Sequence, residues 1–95
     1  MPAMHFHVRW PDNSTSQCYS PSSTITEFFE AGRSYPLADF VALSRVALTK
    51  ASERVNARYG YMCSAAMDQL EVIERTAGRF LDVADAHVTV ETITS

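Results

Sequence analysis

Apolar and polar side chains alternate from the start of the chain, with Met4, Phe6, Val8 and Trp10 on one side and His5, His7 and Arg9 on the other. A period of two is the mark of a half-buried β-strand. Pro11-Asp12-Asn13 then reads as a turn. Proline fits the first central position of a type I turn but cannot supply the positive φ that a type I′ turn needs. Asn13 can take a left-handed position behind it, which gives a three-residue loop with a bulge. The resulting hairpin sets Trp10 opposite Ser14, Arg9 opposite Thr15 and Phe6 opposite Cys18. Cys18 then faces the core, and Tyr19 lies on the outer face beside His5. A two-residue loop would reverse every one of these faces.

The period changes after Ser20-Pro21, which ends the second strand. Thr24 followed by Glu27 forms a capping box for a short helix that carries Ile25, Phe28 and Phe29 on one side, and Gly32 stops it. Pro36 suits the first turn of a long helix running to about Tyr59. Leu37, Phe40, Val41, Ser44, Leu48, Ala51 and Val55 recur at steps of three and four and define its buried stripe. Gly60 suits the left-handed position past that helix. A third helix runs from about Ser64 to Phe80 and buries Met67, Leu70, Ile73, Ala77 and Phe80. Gly78 weakens its last turn by roughly 1 kcal/mol relative to alanine.

The tail, HVTVETI, alternates again and is rich in β-branched residues. It is a third strand with Val88 and Val90 inward. The order β-β-α-α-α-β implies one α+β domain over residues 1–95, a three-stranded sheet covered on one face by two long helices and one short helix. Two of three strands are edges, and the tail strand has no lysine or proline to block pairing. With His5, His7, Tyr19 and Ile93 on the outer face, that edge is the expected surface for an interface and for a two-fold dimer.

Charge narrows the partners. A net charge of −3, with eight basic residues scattered along the chain, offers no basic stripe for nucleic acid and no polybasic membrane anchor. The start MPAMHFHVRW lacks the layout of a signal peptide, and Arg45 and Lys50 interrupt the longest apolar stretch, so a cytoplasmic, non-membrane protein is expected. In that compartment Cys18 and Cys63 are expected to be unpaired thiols.

Chemistry-bearing residues are few. Cys63 lies in the joint between two helices, near a helix start whose partial positive charge favours thiolate. With Tyr59 and Tyr61 it marks a candidate pocket, although no histidine is near it in sequence and a free cysteine ordinarily packs as a small hydrophobe. His5 and His7, two apart on one strand face, can bring two imidazoles to a metal. A third ligand would have to come from Tyr19, Glu91 or His87, and the ordinary reading of such a pair is a solvated strand face. Helical carboxylates such as Glu71 and Glu74 sit beside Arg75, as on any solvated helix. The three glycines mark helix ends and form no phosphate loop. No cofactor, metal or catalytic constellation is indicated.

Five short runs in order, VRWPDNS, CYSPS, SYPLADFVALSR, AL-x-x-ASERV and YG-x-x-CSAAMDQL, resemble the small nitrogen-starvation-response proteins encoded in bacterial nitrilase gene clusters. The resemblance covers roughly Met1 to Phe80, and the tail strand agrees in character. It departs where those proteins usually have Asp-Gly in the hairpin and this chain has Asp12-Asn13. It implies a bacterial source and a nitrogen-limitation context. The neighbouring genes it implies encode a nitrilase, a flavin-dependent oxidoreductase, a radical-SAM protein and an acetyltransferase, in clusters tied to nitrile or cyanide assimilation. It brings no site residues with it. The expected function is therefore a non-catalytic accessory protein that binds another product of such a cluster. The alternative is a small ligand-binding protein or enzyme using a pocket around Cys63.

Overall fold

The computed structural model describes residues 3–60 and 64–95. Strands β1 (Met4–Arg9) and β2 (Thr15–Ser20) form the hairpin in the expected register, Phe6 opposite Cys18 and Arg9 opposite Thr15. Trp10 N donates to Ser14 O at 2.8 Å, and Asn13 takes φ 69° at the left-handed position. Asp12 fastens the loop by accepting from the hydroxyl and the backbone N–H of Ser14, which holds its carboxyl below the ordinary value.

The sheet has four strands, not three. Arg33–Pro36 form a short strand, β3, directly ahead of helix α1 (Leu37–Tyr59), so that Pro36 ends a strand and caps the helix instead of lying in its first turn. At four residues with a proline at its end, β3 is too short to show a period of two. Helix α2 (Ser64–Ala77) continues into a single 3-10 turn at Gly78–Phe80, and strand β4 (His87–Thr94) closes the chain. All pairings are antiparallel, in the order β2-β1-β4-β3. The tail strand is therefore interior, flanked by β1 and β3, which removes the edge on which self-association was expected.

A bulge in β4 makes a second correction. His7 pairs with Thr92 but Val8 pairs with Val90, leaving Glu91 over. One extra residue flips every later side chain to the other face. Ile93 consequently joins Val88 and Val90 on the inner side and packs against the core, instead of lying on the outer face with His5, His7 and Tyr19. Arg9 Nε donates to the bulged Glu91 at 3.0 Å and ties the irregularity to β1.

The segment after β2 is a 3-10 helix, Ser23–Glu27, capped two residues earlier than the capping box implied. Ser22 Oγ accepts from Thr24 N at 3.2 Å and also bonds the Thr24 hydroxyl. Ser20 Oγ donates to Ser22 O at 2.8 Å, so all three buried hydroxyls are satisfied. Gly32 serves the turn into β3 at φ 85°, with its N–H on Val90 O.

Both long helices lie on one face of the sheet. The α1 stripe is buried as its spacing implies, apart from half-exposed Val41. Between helices and sheet runs a chain of aromatic rings. Trp10 stacks on Phe80 at 6.0 Å and meets Phe40 edge-on at 5.6 Å. Phe40 stacks on Phe29 at 5.2 Å, and Phe29 reaches Phe6 and Tyr35 at 6.0 and 5.3 Å. Phe40 is fully buried. Phe40→Ala is expected to lower the unfolding free energy by about 3–5 kcal/mol, a large share of the total of a small domain. Urea denaturation followed by Trp10 fluorescence measures this, and a loss comparable to that of a surface substitution would show that the rings do not depend on Phe40.

Candidate functional site

The three surfaces with a claim to function lie apart. At the helix joint, Gly60 ends α1 at φ 79° with its N–H on Asn56 O at 2.8 Å, and α2 begins at Ser64. Tyr59 is more than half exposed under the Arg58 guanidinium, 5.7 Å from its ring centre. The other two members of the proposed pocket, Tyr61 and Cys63, lie outside the described residues.

The outer sheet face is bare of helices. Towards its β2 edge, His5 and Tyr19 are neighbours across β1 and β2, 5.7 Å between ring centres, as the hairpin register requires. Beside them a shallow depression of about 240 Å³ is bounded by His5, His7, Gln17, Thr92 and Thr94. Of the third ligands considered for a metal, Tyr19 is the neighbour of His5, while Glu91 bonds Arg9 and His87 Nδ1 lies 2.6 Å from Asp85 O. Among the described residues no three His, Cys, Asp or Glu side chains converge. The face can offer aromatic and hydrogen-bonding contact to a partner.

The sequence reading missed the third surface. A groove of about 590 Å³ runs along the first half of α1, bounded by the end of α2 and the 78–86 segment. Leu37, Val41, Ala77 and Phe80 line it together with Leu81 and Val83, which are 77% and 47% exposed. The signal was present in LDVADA, where two large apolar residues alternate with aspartates in a segment too short to be an element. At one end, Leu37 N donates to Ala86 O at 2.9 Å, next to Asp85. At the other, Arg45 Nε donates to Glu74 at 3.1 Å.

Of the two thiols, Cys18 sits where the hairpin register puts it, 1% exposed beside Phe6. Burial pushes its pKa from 9.0 up to about 12, because the apolar surroundings disfavour thiolate. In the folded protein it is no nucleophile. Between about pH 9 and 12 the unfolded chain releases this proton while the folded chain keeps it, so stability falls as pH rises. Wild type is expected to lose stability over that interval more steeply than Cys18→Ala, read from urea midpoints at stepped pH. Native Cys18 is expected to resist iodoacetamide until denaturant is added; rapid labelling in buffer would contradict its burial.

Among the described residues no helix is long and apolar enough to cross a membrane. The chain matches no curated protein and no solved structure. Residues 5–93, however, match a family described as nitrogen starvation-induced protein NitG. That match takes in both strands of the hairpin, both helices and β4 up to Ile93. It agrees with the resemblance carried by the five sequence runs and extends it through the tail. The chain belongs to the family of the nitrogen starvation-induced protein NitG.

Proposed function

We propose that the chain is a non-catalytic accessory protein of the nitrogen-starvation response, which works by binding another product of a nitrilase gene cluster during nitrile or cyanide assimilation. The family supplies the nitrogen-starvation setting. The observation that carries the binding role is the uncovered sheet face, where half-buried His5 and Tyr19 pack ring to ring next to the exposed His7 and Gln17. Aromatic rings that are apolar in body and polar at the tip, surrounded by hydrogen-bonding side chains, fit a protein interface with a wet rim. The four strands present these groups on an open sheet face, which suits a docking surface better than an enclosed reaction site.

The test is capture of the tagged protein from nitrogen-starved cells of its source, with the nitrilase and the other cluster products followed by mass spectrometry. Wild type is expected to retain a cluster product, and Tyr19→Ala and His7→Glu, introduced singly, are expected to weaken that retention about tenfold. Recovery of no cluster product, or recovery indifferent to both substitutions, would set this reading aside.

A further inference from the structure

The phase of hydrogen bonding in the hairpin brings two imidazoles and two oxygen donors together on the outer sheet face. We infer that His5 and His7, with Tyr19 and Gln17 across the hairpin, bind a divalent late transition-metal ion, Cu²⁺ or Ni²⁺, on that face.

Tyr19 N donates to Gln69 at 3.0 Å, away from β1. The N–H and C=O of a residue in an antiparallel pair point the same way, so His5 and Tyr19 form a non-hydrogen-bonded pair. Two residues along, His7 and Gln17 form another. The bond from Trp10 N to Ser14 O at the hairpin end gives the same phase. Cα atoms in such pairs are about 4.5 Å apart, against about 5.5 Å in hydrogen-bonded pairs, and their side chains lie closer. Successive outward residues of one strand are about 7 Å apart. The four residues therefore sit at the corners of one small rectangle on the helix-free side. His5, His7 and Gln17 bound the same depression, and the Tyr19 ring lies next to that of His5.

β1 lies between β2 and β4, so the backbone that carries both imidazoles is already ordered and chelation fixes only side chains. Among the described residues neither imidazole is held by a hydrogen bond or an ion pair, whereas His87, on the same face, has Nδ1 against Asp85 O. Arg9, the next outward residue of β1, has its charge offset by Glu91, so it does not repel a cation beside His7. Two imidazole nitrogens with neutral oxygens, and no thiolate, suit the tetragonal N,O geometry of Cu²⁺ or Ni²⁺ rather than tetrahedral zinc or an all-oxygen magnesium site. Gln17 Oε1 and Tyr19 Oη are the protein oxygens within the rectangle, and water completes the coordination from the open side. Each imidazole binds as the neutral base, so affinity falls as pH is lowered.

Cu²⁺, Ni²⁺ and Zn²⁺ alone are the probes, added to the isolated full chain at neutral pH and followed by titration calorimetry. Electron paramagnetic resonance of the Cu²⁺ form counts the nitrogens around the ion. One ion per chain is expected, with two equatorial imidazole nitrogens and an affinity highest for Cu²⁺. His5→Ala and His7→Ala are each expected to weaken binding at least about tenfold, while His87→Ala leaves it unchanged. Circular dichroism like wild type separates loss of a ligand from loss of the fold. His7 is exposed, so His7→Ala decides by itself if His5→Ala disturbs the hairpin. Binding no tighter than in the double variant lacking both imidazoles, or lost with His87→Ala instead, overturns the inference. So does a four-nitrogen spectrum, which puts an adventitious ion only on the N-terminal amine and backbone. The titration needs no partner protein, so its failure and the failure to capture a cluster product are separate results.

Discussion

Phe40 is the point on which the two layers of this protein are registered. Its ring meets Trp10, at the end of the first strand, and Phe29, which in turn meets Phe6 and Tyr35. One side chain of α1 thereby fixes the helix against β1, against the loop after the 3-10 helix and against β3. Edge-on and offset contacts of this kind are directional as well as apolar. They specify how the helix lies on the sheet, which area burial alone does not. Trp10 passes the order on to Phe80 and so to the end of α2, while its Nε1 donates to Ser16 at 2.9 Å, which leaves no polar atom of the indole stranded.

The sheet's two edges are each partly blunted, in different ways. At β2, Gln69 of α2 reaches over and accepts from Tyr19 N at 3.0 Å. At β3 the strand is four residues long and ends in Pro36, which has no N–H to offer. Each edge thus carries a feature that hinders the addition of a further strand. The bulge at Glu91 acts on the outer face. By sending Ile93 inward it clears the last large apolar side chain of β4 from the outer face, where Thr92 and Thr94 are exposed.

Elements that announce themselves by period or by turn chemistry were legible in the sequence: the hairpin and its register, the inward Cys18, both long helices and the existence of the tail strand. Asn13 settled which way the hairpin faced because only a residue that tolerates positive φ closes a loop begun by proline. What was not legible depends on distant partners. β3 exists because β4 offers it a ladder, not because Arg33–Pro36 favour a strand by themselves. The bulge is likewise a bargain between two strands, invisible in the alternation of HVTVETI. The context of the family was readable from five runs in order, yet the groove was not, because exposed apolar residues in a loop have no periodicity to betray them. The thiol joint falls partly on residues 61–63, outside those described.

The interior position of β4 also bears on how the chain is assembled. The strand made last among these elements is the one that joins β1 to β3, and its ion pair with Arg9 spans 82 positions. Until it arrives, the hairpin has no neighbour on its inner side and β3 has no neighbour at all. Isolated hairpins are marginal in water, and closing so long a loop costs entropy before any contact returns it. The sheet is therefore complete only once β4 has paired with both β1 and β3. Such a topology leaves β1 and β3 dependent on β4, the strand that joins them, and an unpaired strand edge is prone to aggregation until that strand is in place.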